Sequence, residues 1–81
     1  MQQEIFEKVA ALIAANNDIA VETITMESTF EDLNMDSLDG LALVSDLEAY
    51  YNIHIPNEEA LKIRSVKDAV EKLEKLLVLQ K

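Results

Sequence analysis

At 81 residues the chain has room for one domain, spanning 1–81, with a modest core, and is too short for a two-lobed active site. It has no cysteine, which excludes disulfides, thiolate nucleophiles and cysteine-ligated metals and gives no sign of an oxidising compartment. Sixteen acidic residues against seven basic ones leave a net charge of −9, which argues against nucleic acid and anionic lipid as partners, since both reward lysine and arginine.

No apolar run approaches the length of a membrane span, and the first residues lack the basic-then-apolar order of a signal peptide. A soluble, cytoplasmic protein is therefore expected. The charge is unevenly spread: residues 9–61 hold eleven acids and no lysine or arginine, whereas residues 62–81 hold six bases and three acids. A partner approaching the acidic stretch should itself be basic. Solubility alone accounts for the net charge, though less comfortably for so long a stretch without a cation. The same self-repulsion favours a monomer.

Taken in chain order, the apolar residues Ile5, Phe6, Val9, Leu12 and Ile13 recur at spacings of three and four and predict a first helix from about Gln3 to Ala15. Asn16-Asn17-Asp18 ends it. The segment from there to about Met35 is irregular and long for so small a domain, which points to function or disorder. It carries Ile19, Val21, Ile24, Met26, Phe30 and Leu33 as apolar anchors, so an ordered loop is expected.

A second helix is predicted from Asp36 or Ser37 to about Tyr51. Leu43, Val44, Leu47 and Tyr51 fall on one side, with Leu41 and Tyr50 at its margins. Leu38, Ala42, Ser45 and Ala49 form a small, mildly apolar stripe opposite, either helix-forming filler or a docking surface. Ile53-His54-Ile55-Pro56 is read as extended. Pro56 suits a helix start because it lacks an amide that would be unpaired there, so a short third helix is expected from Asn57 to about Lys62. Ser65 and Asp68 have capping-box spacing ahead of Val66, Ala69, Val70, Leu73, Leu76 and Leu77, which predicts the fourth helix. The fold class is all-α: a small four-helix bundle of three long helices and one short third helix, with a long ordered loop between the first two.

The chemistry concentrates in Asp36-Ser37-Leu38-Asp39. Asp36 is a good N-cap type, and Asp39 completes a capping-box spacing at the positive end of the helix dipole. Ser37 then lies in a first turn whose free amides favour an attached anion, although Asp36 and Asp39 oppose its charge. On these four residues alone a plain first-turn serine is the commoner case, and a modified serine is the alternative. The two carboxylates also suit a magnesium ion during phosphoryl transfer by an outside enzyme. No structural metal is expected, since the acidic residues lack EF-hand spacing. The only histidine, His54, has neither triad order nor a nucleophile elbow around it and is read as an exposed linker residue. The chain is not expected to be an enzyme.

With the elements in this order, the chain resembles the acyl carrier protein family over nearly its full length. The resemblance is carried by Ser28-Thr29-Phe30-Glu31-Asp32-Leu33 leading into Met35-Asp36-Ser37-Leu38-Asp39, by Leu43-Val44 and Leu47-Glu48, by Ile53-His54-Ile55-Pro56, and by Ile63 with Ser65-Val66. It implies that Ser37 is esterified with 4′-phosphopantetheine by a phosphopantetheinyl transferase that uses coenzyme A. Acyl groups are then held as thioesters on that arm, which fits a chain with no thiol of its own. By the same resemblance Asp36 is the aspartate before the attachment serine. Leu38, Asp39 and Glu48 match positions of the second helix that partner enzymes read, and Ala42 and Ser45 lie on the same surface. The implied partners are acyl ligases or synthases with basic docking patches in fatty-acid or polyketide-type biosynthesis, and the space between the second and third helices is the implied shelter for the acyl chain.

Several positions depart from the family pattern. Asn34 stands where glycine is usual, and asparagine tolerates a left-handed backbone better than most residues. Ala42 replaces a common glutamate, Ser45 a frequent methionine, and Ala49 and Tyr50 thin the acidic run further. Gly40 weakens the helix relative to alanine. The less acidic helix points to a carrier with a specialised pathway. Two other readings stay open: a carrier of activated amino acids or peptides, and an unmodified acidic subunit that only binds partners.

Overall fold

A computed structural model describes residues 2–79. Four helices, α1 (Gln2–Asn17), α2 (Ser37–Tyr51), α3 (Asn57–Ala60) and α4 (Val66–Leu79), follow the predicted order, with a single 3₁₀ turn at Val21–Thr23 in the long loop. α1 packs most extensively on α4 and also on α2. The core runs along this seam. Ile5, Val9 and Ile13 from α1, Leu43 and Leu47 from α2, and Val66, Val70 and Leu73 from α4 are almost wholly removed from water. Each such side chain contributes roughly 1.5–3 kcal/mol relative to its exposed state, so the three- and four-residue spacings of these helices hold the bundle together.

Each helix end has a local cause. α1 extends to Asn17, two residues beyond the predicted Ala15, and stops where Asp18 turns left-handed at φ 54°. The Asn17 side-chain amide donates to the Ile13 carbonyl at 3.1 Å, satisfying one of the acceptors a helix end leaves open. α2 ends at Asn52, also left-handed (φ 55°), whose amide donates to the Glu48 carbonyl, in the manner usual for a residue that can adopt that conformation. The third helix is shorter than predicted, a single turn ending at Ala60, and Pro56 is its N-cap and not its first helical residue. The Pro56 carbonyl accepts from both Glu59 and Ala60 at 2.9 Å.

The long loop is tied down at both ends of its second half. Ile24, Phe30 and Met35 are buried, while Val21, expected as an anchor, is 44% exposed in the 3₁₀ turn. Backbone bonds from Phe30 to the Arg64 carbonyl (2.9 Å) and from Val66 to the Ser28 carbonyl (3.0 Å) flank an antiparallel bridge between Thr29 and Ser65. This stitches the loop to the start of α4. Thr29 and Asp32 exchange side-chain and backbone bonds at 3.0 and 3.3 Å, and Asn34 closes the turn with φ 59°. Met35 then donates to the Phe30 carbonyl at 2.8 Å, which fixes the chain's entry into α2.

The predicted capping box at α4 is altered. Ser65 Oγ accepts from the Asp68 amide at 3.1 Å, but the Asp68 carboxylate accepts from the amide of Arg64, one residue upstream of the expected donor. α3 is held to α4 by an ion pair from Lys72 to Glu59, and Lys62 approaches the same carboxylate at 3.5 Å. The hydrogen bond from Lys72, with the charge of Lys62, holds the Glu59 carboxyl below the usual glutamate range. At the far end of α2, Tyr50 and Tyr51 meet edge to face with centroids 4.8 Å apart, and Lys8 lies 3.9 Å over the Tyr50 ring. Burial pushes the Tyr51 hydroxyl above its ordinary range, and Tyr50 and Glu4 add to the rise.

Candidate functional site

Ser37 is the first residue of α2, and its side chain is exposed. Its setting is fixed by a reciprocal capping box. Asp36 Oδ1 accepts from the Asp39 amide at 2.9 Å, and Asp39 Oδ2 accepts from the Asp36 amide at 3.2 Å. Gly40 donates to the Asp36 carbonyl at 3.0 Å. These bonds satisfy the third amide of the helix and the amide just before it. Among the described residues no protein acceptor takes the amides of Ser37 and Leu38, so both remain for an anion at this end of the helix dipole.

The structure brings six of the sequence-predicted residues onto one side of the molecule. Asp36, Ser37, Leu38, Ala42 and Ser45 are exposed and Asp39 is half-buried, with Leu38 at 75% exposure. An isolated leucine so exposed is common on protein surfaces; this one directly follows the candidate serine. Glu48 differs from them. It is half-buried, and Glu48 Oε2 accepts from the Ile55 amide at 2.6 Å, with His54 Nδ1 3.4 Å away. Its carboxylate is engaged with the segment leading to α3. The His54 side chain is 85% exposed, as a linker histidine.

A groove of about 960 Å³ opens beside Ser37. Gly40 and Leu41 of α2 form one wall, Phe30 and Met35 the floor towards the loop, and Leu61 and Arg64 the side around α3. The family resemblance implies a shelter between the second and third helices without naming its lining: Phe30 is expected there as a loop anchor, Leu41 at the margin of the core face and Gly40 as a weak point of the helix, none of them as a wall of a groove. A Cβ on Gly40 would meet the Phe30 ring at 3.7 and 3.8 Å, ordinary contact distances, so glycine is not forced here by crowding. Arg64 did carry a signal. It is the only arginine in the chain and stands just after the long stretch that lacks cations.

An exposed first-turn hydroxyl, two free amides beside it and a largely apolar groove opening next to it fit a phosphorylated, partly apolar prosthetic arm. The amides can take phosphate oxygens, and the groove can take an alkyl chain. Among the described residues no group of three or more histidine, aspartate or glutamate side chains is gathered as a metal site, and no helix is long and apolar enough to cross a membrane.

The chain is similar to known proteins over most of its length. Residues 7–73 match the model of the family described as "Phosphopantetheine attachment site". The chain is 42% identical over 71 residues to the acyl carrier protein of Thermosynechococcus vestitus, covering 86% of this chain and 88% of that protein. It is 44% identical over 72 residues to the acyl carrier protein of Helicobacter hepaticus, covering 88% and 95%. Among solved structures, the acyl carrier protein from Thermotoga maritima superimposes with a TM-score of 0.89 at 30% identity, over 99% of this chain and 94% of that one. The acyl carrier protein from Enterococcus faecalis gives 0.78 at 31% identity, over 94% and 98%.

The fold and the match to the attachment-site family define a phosphopantetheine-bearing carrier. More narrowly, the chain belongs to the acyl carrier protein family. Its cofactor is covalently attached 4′-phosphopantetheine.

Proposed function

We propose that Ser37 carries the arm, and that residues 1–81 work as one carrier domain. The observation that supports this best is the exposed Ser37 hydroxyl at the start of α2, beside the groove and held by the Asp36–Asp39 capping box. When bound, the arm supplies a terminal thiol on which an acyl group is held as a thioester. The protein's own part is to fix the attachment point, to offer the amides of Ser37 and Leu38 to the phosphate, and to shield apolar cargo in the groove. Asp36 serves by holding the first turn. The chain itself performs no catalysis in this reading, because the bonds are made and broken by the enzymes that dock on it.

Those enzymes are a phosphopantetheinyl transferase and acyl ligases or synthases, with basic patches that match an α2 side rich in carboxylates at its start. Leu38, Asp39, Ala42, Ser45 and Glu48 form the surface they read, with Glu48 contributing its outer edge because its carboxylate also braces the Ile55 amide. The protein works as a cytoplasmic monomer, with its net charge of −9 opposing self-association.

Intact mass after incubation with coenzyme A, magnesium and a broad-specificity transferase tests the assignment. The wild type should gain one phosphopantetheine and Ser37→Ala none. An equal gain in both would move the attachment point elsewhere. The pathway is fatty-acid or polyketide-type synthesis of a specialised kind, because exposed Ala42 and Ser45 put uncharged side chains on the outer side of α2. A strain lacking its general fatty-acid carrier should not be rescued by this chain, and full rescue would sink the specialised reading.

A further inference from the structure

The groove beside Ser37 has three charged residues in its lining: Glu31, Asp36 and Arg64. Two of them repel an anion. Arg64 is the only cation, and among the described residues its guanidinium makes no ion pair with either carboxylate. The neighbouring cations Lys62 and Lys72 are engaged with Glu59 on the α3–α4 side. Lys67 and Lys75 likewise make no ion pair among the described residues, and what sets Arg64 apart is its place in the lining of the groove that Ser37 also lines.

Its position is also built. The Arg64 carbonyl accepts from the Phe30 amide at 2.9 Å, and the Arg64 amide donates to Asp68 at 3.1 Å. Buried Ile63 and Val66 anchor the chain on either side. The backbone is thus fixed on the groove wall, and the guanidinium projects from a defined point. The link to Ser37 is short. Phe30, bonded to Arg64, sets its ring against Gly40, and Gly40 is one turn along α2 from Ser37.

We propose that Arg64 is the anion-binding residue of this groove and pairs with the phosphodiester of the arm, an inference that rests on Ser37 being the attachment residue. An ester on Ser37 adds a negative charge close to Asp36 and Asp39, and a cation lining the same groove offsets that repulsion. The planar fork of arginine suits two phosphate oxygens at once, which a lysine at this position would not reproduce. The phosphodiester is favoured over a carboxylate on the cargo because it lies at the serine itself, whereas the cargo's far end is the full length of the arm away. The bland alternative is that Arg64 balances Glu31 and Asp36 through space and touches nothing.

Because Arg64 is the only arginine, its Nε–H gives a single resonance in the full-length ¹⁵N-labelled protein. The experiment compares that resonance in the unmodified form and in the form whose mass shows complete loading, and follows ³¹P in loaded wild type and loaded Arg64→Gln. Pairing predicts a downfield shift and slower solvent exchange of the Nε–H on loading, and a displaced ³¹P resonance in Arg64→Gln with an amide spectrum otherwise intact. An Nε–H unchanged at full loading would overturn the proposal. So would a shift that appears only when the arm carries a succinyl group, since the anion would then be the cargo's. No mass gain in the wild type, or an equal gain in Ser37→Ala, is a failure of the attachment reading and is seen before any spectrum is recorded.

Discussion

Two carboxylates of α2 show how much a single side chain can decide. Asp39 closes the capping box over Ser37, a role its spacing from Asp36 predicts. Glu48 matches a partner-facing position by the family resemblance, yet it bonds the Ile55 amide seven residues on at 2.6 Å. Ile55 is itself buried, so its amide has little recourse to water once the carboxylate is removed. Glu48→Ala should cost about 1–3 kcal/mol, the usual penalty for a buried donor left unpaired. Glu48→Gln keeps an acceptor oxygen and should cost clearly less. Urea unfolding of the two variants checks this, and equal losses would mean that charge and not the hydrogen bond matters there.

At the scale of elements, α2 is asymmetric. Leu43, Val44 and Leu47 lock its inner face into the core, while its outer face and its first turn are left open. Gly40 is a weak point in that helix, because glycine in a helix interior costs roughly 0.8–1 kcal/mol relative to alanine. The added methyl of Gly40→Ala would reach the Phe30 ring at van der Waals distance without a clash. The variant should therefore be more stable by about 0.5–1 kcal/mol, read as a rise of a few degrees in Tm. An unchanged or lower Tm would mean that the methyl disturbs Phe30 and the groove floor. α3 is the opposite case, a single turn far too short to persist alone. It is held by the Pro56 carbonyl, the Glu59–Lys72 pair and the buried Ala60.

For the whole molecule, charge is the dominant liability. A net −9 is confined to a body with a radius of gyration of 11.5 Å, and among the described residues the pairs that offset it are few: Glu59 with Lys62 and Lys72, and Glu48 with His54 when the imidazole is protonated. At about 0.01 M salt the screening length is roughly 30 Å, so repulsion acts across the entire fold. At about 1 M it is roughly 3 Å and only near neighbours interact. Repulsion among the many acids then outweighs the loss of a few exposed pairs, each worth about 0–1 kcal/mol. Tm should rise steadily as sodium chloride is added at neutral pH. A flat or falling curve would show that local pairs govern stability after all.

Sequence alone determined the parts of this protein that are periodic or local. The three- and four-residue apolar spacings gave the long helices and their inward faces, though Phe6, Leu12, Tyr51, Leu76 and Leu77 on those faces are only partly buried, and Asp36 and Asp39 gave the start of α2, because helix faces and first-turn caps depend on residues within a turn or two of one another. The motif around Ser37, in its order and spacing, gave the family and its cofactor. What required the tertiary structure joins residues far apart in the chain. The bond from Phe30 to Arg64 draws the loop, α2 and the α3–α4 link around one groove, and no local pattern marks that meeting. Val21 faces water despite its apolar side chain, and Asp68 serves the Arg64 amide where spacing pointed to Ser65. Burial and hydrogen-bond choice at such places are set by which segments arrive there, and only the folded chain decides that.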